Sequence, residues 1–236
     1  MKIEHWLPAL IIICIGSLCI VAQTPIVVND PTVDAAEWKL SAAEQAIMDE
    51  KVLPEVREKR PDDLCEEPIS VAGILQGAFT RAGARQTLIF YQFCQTGNGL
   101  GSAGVAVVED GEVAANVFCA ECGWTIDAKV LPDINQNGLN EVALYYSGGM
   151  HQGSGGTGVN IHEFSRGNLK GIGWFQAESF SETGPVTGYR VTVKPGKVSA
   201  FTREKYLQNA SGKWRKAGMP APLKLTSVIG EFEPIK

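Results

Sequence analysis

The chain has 236 residues, of which 44% are apolar and 20% charged, and a formal net charge of −5. That length fits one large or two small domains, and the apolar content excludes a chain disordered throughout. A mildly acidic protein with no basic stripe has no electrostatic reason to seek nucleic acid.

Residues 7–22 are an unbroken uncharged run behind Lys2. The run is shorter than the ~20 residues that span a bilayer. A short apolar core after a basic start, ending at a small residue, is the pattern of a secretory signal peptide over 1–22, cleaved after Ala22. The alternative is an uncleaved anchor lengthened by residues 25–28. Cys14 and Cys19 follow the large residues Ile13 and Leu18, unlike lipoprotein cysteines. The expectation is a periplasmic or extracellular protein with no membrane attachment beyond this segment.

Residues 23–62 read as a linker and a short helix. The stretch 23–38 is polar and holds two prolines. Ser41 and Glu44 then make a capping box, in which each side chain satisfies a backbone N–H at the start of a helix. Ala43, Ala46, Ile47 and Glu50 follow at helical spacing, and Pro54 is expected to end or kink the helix. The charged stretch 55–63 reads as solvated.

The remainder, 63–236, is expected to be an all-β domain. From Val71 the apolar period shifts from helical to alternating. Residues 87–93 are a β-rich run. Asp110-Gly111 sits between two strands and suits a two-residue type I′ turn, which needs positive φ at both positions. Segments 124–131, 141–147, 159–164, 169–176, 189–194 and 197–201 follow, separated by turn residues. Tyr206 and Trp214 flank a further turn at 209–212, and 223–229 is expected to close the sheet. Many short strands at such spacing imply an antiparallel sandwich, barrel or propeller-like sheet with a short N-terminal helix. No fixed repeat period emerges, which argues against a full propeller.

Between two of these strands lies Asp133-Ile-Asn-Gln-Asn-Gly-Leu-Asn-Glu141. Oxygen side chains fall at positions 1, 3, 5 and 9, and Gly138 at position 6 permits the sharp turn. This is the spacing by which a tight loop wraps a hard cation. An EF-hand is excluded, because position 12 is Leu144 and the flanks read as strands. The loop resembles the calcium loops of FG-GAP and VCBS-type β proteins, which carry the same spacing before an apolar strand. The resemblance covers one loop and one strand. It implies that Asp133, Asn135, Asn137, the carbonyl of Leu139 and Glu141 are calcium ligands. With two formal charges, binding is expected near ~10⁻⁴–10⁻³ M, as in extracellular modules. The same residues also suit a turn closed by its own side-chain-to-backbone bonds, with no metal.

Four cysteines follow the N-terminal run: Cys65, Cys94, Cys119 and Cys122. An even count in an exported chain favours disulfides, and three pairings are possible. The pairs expected are Cys119 with Cys122, clipping a turn before Gly123, and Cys65 with Cys94. A redox CxxC would normally open a helix, whereas this one lies between strands. Residues 147–158 are glycine-rich and formally match G-x-G-x-x-G. A strand pattern follows where a dinucleotide site needs a helix, so the expectation is a flexible surface loop and a binding edge. His151 and His162 are expected to be hydrogen-bonded structural histidines, and Asn209 a turn residue within a sequon. The leading functional expectation is an exported non-catalytic binding module, for an unknown ligand or protein, with a structural calcium-type loop. The alternatives are a secreted hydrolase using Asp133, Glu141 and His151 near 147–158, and thiol redox chemistry.

Overall fold

The computed structural model describes residues 24–59, 69–95 and 99–235. The segment expected to be a signal peptide and Cys65 lie outside the described residues. The elements in chain order are β1 (Ile26–Asn29), α1 (Ala42–Ile47), α2 (Leu53–Lys59), β2 (Ser70–Gly77), β3 (Gln86–Gln95), β4 (Gly101–Glu109), β5 (Glu112–Cys119), β6 (Trp124–Leu131) and β7 (Glu141–His151). They continue as β8 (Ser154–Ser165), β9 (Asn168–Ser181), β10 (Thr187–Lys194), β11 (Ala200–Gln208), β12 (Trp214–Lys216), β13 (Ala221–Leu223) and β14 (Glu233–Pro234).

The strands form two antiparallel sheets. One runs β14-β5-β4-β3-β2; the other runs β12-β11-β10-β9-β8-β7-β6, with β1 added to β10 and β13 to β11. The all-β expectation holds, and the larger sheet curls into a half-barrel. Alternation along each strand explains the layers. On β3, Leu88 and Phe90 enter the core between the sheets, while Ile89, Tyr91 and Phe93 face the opposite side. On β7, Val142, Leu144 and Tyr146 join the inter-sheet core, while Ala143 and Tyr145 line the inside of the curl with Val28, Ile161, Phe175 and Val193. A fully buried side chain of this size stabilises the fold by roughly 1.5–3 kcal/mol. Where β2 meets β6 the backbones come close: a Cβ on Gly73 would lie 2.5 Å from that of Ala128.

The helical segment covers the outer face of the five-stranded sheet. Ser41 and Glu44 make the expected capping box. Pro54 does not end the helix. A π-helical turn, Met48–Val52, precedes it, and the Leu53 N–H reaches the Met48 carbonyl. Proline then sits in the first turn of α2, where no N–H is required. Glu55, Arg57, Glu58 and Lys59 are exposed, as expected of the charged stretch, while Met48, Val52, Leu53 and Val56 are buried against Tyr91 and Phe118. The linker expected over 23–38 contains β1, which pairs with β10, and Trp38 donates its indole N–H to Asp127 at 2.9 Å. The expected type I′ turn is present: Asp110 and Gly111 have φ of 50° and 82°.

The glycine-rich segment is a β-hairpin rather than a flexible loop. Gln152 and Gly153, with φ of 50° and 79°, turn β7 directly into β8. Two positive-φ residues match the right-handed twist of the flanking strands, so the chain reverses without a loop. Beyond β13, the stretch expected to close the sheet contributes only a bridge from Thr226 to Trp174, and β14 pairs with β5 instead.

Candidate functional site

β7 connects two unlike features. At its start lies the 133–141 loop. Asp133 accepts the N–H groups of Asn137 and Gly138 at 2.9 and 2.7 Å. Asn135 Oδ1 accepts from Asn137 N at 3.1 Å, and Asn137 Oδ1 from Leu139 N at 2.8 Å. Gly138 has φ of 89°, as the turn requires. Ile134 is fully buried in the curl and anchors the loop from below. Asn140 ties the loop to the other sheet, exchanging bonds with the Ala78 backbone.

Glu141 completes this set. It is wholly buried, and its Oε2 accepts the Ile134 N–H at 2.9 Å. Its Oε1 has no partner among the described residues. Burial, with smaller contributions from the Asp133 and Glu163 carboxylates, pushes its pKa up to about 7 despite the backbone bond. A buried carboxylate oxygen with no donor is costly and calls for a proton or a cation. The side-chain oxygens of Asp133, Asn135, Asn137 and Glu141 are the hard donors that a cation such as calcium takes, and the first three accept backbone N–H groups here. The five residues named from the sequence therefore lie in one loop, and four of their side chains are linked through its hydrogen bonds.

Glu163, on β8, was not among them. Its Oε2 accepts the side-chain amides of Asn135 and Asn137 at 2.7 and 2.9 Å. The sequence signal was a lone charge in the otherwise apolar-alternating run of β8. Among the described residues, no three acidic, histidine or cysteine side chains stand as a ready-made metal cluster. Asp133 is turned toward backbone N–H groups, so the three acids act on one another through their fields rather than through a shared cage.

The other end of the molecule is a groove of about 370 Å³. Much of its lining is bare backbone: Gly99, Gly123, Gly148, Gly156 and Gly158 contribute, with Tyr146, Asn160, Trp174 and Gln176. The indole of Trp174 lies over Gly158, where any Cβ would collide with its ring nitrogen. A Cβ on Gly148 would meet nothing within 4 Å, because it faces the open groove. Asn160 holds the far wall by a two-way amide clamp on Ile229, at 2.6 and 3.0 Å. Cys119 and Cys122 form a disulfide with Cα atoms 5.9 Å apart, and Cys122 reaches the groove. Gly230 makes room for it: a Cβ there would lie 2.5 Å from Cys122 Sγ. Cys94 is also disulfide-bonded, while Cys65, its expected partner, lies outside the described residues.

The residues of the hydrolase alternative are not brought together. Glu141 opens β7 and His151 closes it, roughly 30 Å apart at ~3.3 Å per residue. His162 is buried to 1% exposure, edge-on to Phe232, and neither ring nitrogen has a partner among the described residues. The expectation of a hydrogen-bonded histidine fails there. Burial pushes its pKa down to about 3, so it stays neutral. Asn209 is the turn residue expected, accepting from the Ser211 and Lys213 backbone at 3.1 and 2.9 Å.

The fold and these features define an antiparallel all-β protein with an acidic loop and a glycine-lined groove at opposite ends of one strand. Comparison with protein-family models, curated proteins and solved structures found no match.

Proposed function

We propose that the chain is an exported, non-catalytic binding module, with one calcium ion in the 133–141 loop and a small-molecule or peptide ligand in the glycine-lined groove. The observation that carries the calcium reading is the buried Oε1 of Glu141, without a partner among the described residues, at the end of a loop of Asp and Asn side chains. The spacing shared with FG-GAP loops supports the same assignment. Asp133, Asn135, Asn137, the Leu139 carbonyl and Glu141 would hold the ion. Calcium supplies positive charge that lets Glu141 stay ionised while buried. The groove supports binding over hydrolysis, because Asp133 and Glu141 stand far from it. The Cys119–Cys122 disulfide accords with an oxidising compartment outside the cytosol.

Calorimetry and thermal unfolding, with calcium against chelator, test the loop. A cation bound only by the native state contributes RT ln(1 + [L]/Kd), about 1.4 kcal/mol at millimolar calcium and a Kd of ~10⁻⁴ M. That corresponds to a rise of about 3–6 °C in Tm for a chain of this size. Asp133→Ala should abolish the rise. Equal melting in both conditions, with no heat of binding, would reduce the loop to an ordinary Asn-Gly turn. A fragment screen by amide NMR tests the groove. Shifts should gather at Gly123, Gly148 and Gly158 and vanish in Gly148→Phe, which fills open space without strain. Shifts gathering elsewhere would remove the groove from the reading.

A further inference from the structure

We infer that the inner face of the curled sheet holds a further binding site, for an alkyl ammonium group carried by a small free amine or by a lysine side chain. The site stands apart from the 133–141 loop and from the glycine-lined groove, and it rests on neither reading.

It is a pocket of about 250 Å³ between the segment that follows β1 and the strands β6 to β9. Two β-bulges aim its acidic groups. On β6 the register shifts between Thr125 and Asp127, so that Asp127 stands opposite Tyr145, which lines the inside of the curl. On β9, Ala177 is the extra residue between Gln176, opposite Gly158, and Glu178, opposite Thr157. Bulges re-aim side chains in this way. Asp127 is only 5% exposed and lines the pocket. Its Oδ1 is fixed by the Trp38 indole N–H and the Ala128 N–H, both at 2.9 Å, whereas its Oδ2 has no hydrogen-bond partner among the described residues. A buried carboxylate held by one oxygen presents the other to an occupant, and a charged donor is the partner that offsets its desolvation. Glu178, half-buried on the same wall, forms no hydrogen bond or ion pair among the described residues, and burial holds its pKa above the ordinary carboxylate value.

The charge balance selects a cation. Asp34 adds a third carboxylate at the rim. Asp30 is already engaged by Thr32 and Arg190. Lys129 leans over the Tyr145 ring, 5.1 Å from its centroid, so one ammonium faces three acids. The walls select an organic cation, because a metal ion of this hardness would use oxygens alone. Gly188 pairs with Glu178, and a Cβ there would lie 2.5 Å from Pro31 and 3.0 Å from the Trp214 ring. Its bareness lets both close in beside the carboxylate. With Ile126 and Ala177 they form apolar walls for an alkyl chain, and an indole face attracts an ammonium.

The test titrates the protein, in chelator, with 1,5-diaminopentane, with Nα-acetyl-lysine amide and with 1-pentanol as the uncharged control, followed by NMR. At least one amine should shift the Thr157 and Glu178 amides and the Trp214 indole, and should bind about 10-fold or more tightly than pentanol. Tighter binding of the diamine would assign a free amine, and tighter binding of the lysine amide a peptide side chain. Glu178→Gln removes a charge and no hydrogen bond, so it should melt like wild type and bind the amine about 10-fold more weakly. Asp127→Asn keeps an oxygen for Trp38 and Ala128 and should weaken binding by a similar factor. Binding of neither amine, equal binding of pentanol, shifts gathered at residues 133–141 instead, or binding by Glu178→Gln within twofold of wild type would each overturn the site.

Discussion

The two ends of β7 are built by opposite means. At the 133–141 end, side chains make the structure: Asp133, Asn135 and Asn137 cap successive backbone N–H groups, and Glu141 is buried beneath them. At the groove end, the absence of side chains makes the structure: Gly148 leaves space, and Gly158 lets the Trp174 ring lie on the strand. The first kind of site is specified by what it bonds, and it should answer to charge and pH. The second is specified by shape, and it answers to volume.

The largest expected effect therefore comes from adding volume at the groove. Gly158→Val would drive its Cβ into the Trp174 indole and its methyls into β9, in the middle of the sheet. Overpacking of this kind should cost about 3 kcal/mol. Urea unfolding measures it as a lower midpoint with an unchanged slope. The same substitution at Gly148, facing open space, should cost far less. Equal losses at the two positions would mean that the groove is not held open by its glycines.

This contrast also explains how much of the molecule could be read from the sequence. The loop was legible because its ligand-type residues fall within nine consecutive positions. Glu163 was not, because β8 brings it there across the sheet and its own neighbours in sequence are Asn160, His162 and Phe164. The groove was visible only as composition. Its glycines come from the segment before β4, the start of β6 and the β7–β8 hairpin, and only strand pairing gathers them. The all-β class followed from alternation, which each strand carries locally. β1 was hidden because Ile26, Val27 and Val28 stand between Pro25 and Pro31 and read as an extension of the apolar N-terminus. The helix crossing Pro54 was hidden because a π-turn absorbs the clash that the sequence alone leads one to expect.

At the loop end, pH should have the next largest effect. Glu141 titrates at about 7 when folded, against 4.5 ordinarily, so the native state holds a proton that the unfolded state has released between these values. Stability contributed by that proton is full below about pH 4.5 and is lost as pH rises through about 7. Buried His162 runs the other way: its pKa falls from 6.5 to about 3, so its contribution grows as pH rises to about 6.5. Glu141→Gln isolates the first term. In chelator, the variant should gain on wild type by about 2 kcal/mol between pH 5 and pH 8. Calcium should narrow that gap by supplying the missing charge, whereas a gap independent of pH would mean that Glu141 is ionised throughout.

Reduction should act on the opposite end and by less. Cys119 and Cys122 close a loop of four residues, for which the chain-entropy model gives about 1–2 kcal/mol. The paired Cys119→Ala and Cys122→Ala variant should lose that much in thermal unfolding. Because Cys122 lines the groove, its amide shifts should change at Gly99, Gly123 and Gly230 and not around Asp133. Changes confined to the loop would invert the comparison.

The smallest effect expected is the coupling between the two ends, and it is the sharpest test of their independence. Trp124 pairs with Ser147 beside the disulfide, and Leu131 pairs with Glu141 beside the loop. The intervening strand separates the two by roughly 20 Å at ~3.3 Å per residue. The bonds at the two ends go to different partners: Asn160 clamps Ile229 at the groove, while Glu163 holds Asn135 and Asn137 at the loop. Perturbations that far apart without shared partners usually add to within about 0.5 kcal/mol. The cycle compares wild type with the double cysteine variant, each unfolded in calcium and in chelator. Calcium should stabilise both proteins equally. A coupling above about 1 kcal/mol would instead make β7 a single two-state element, through which a ligand in the groove would alter calcium affinity and calcium would, by the same factor, alter the groove.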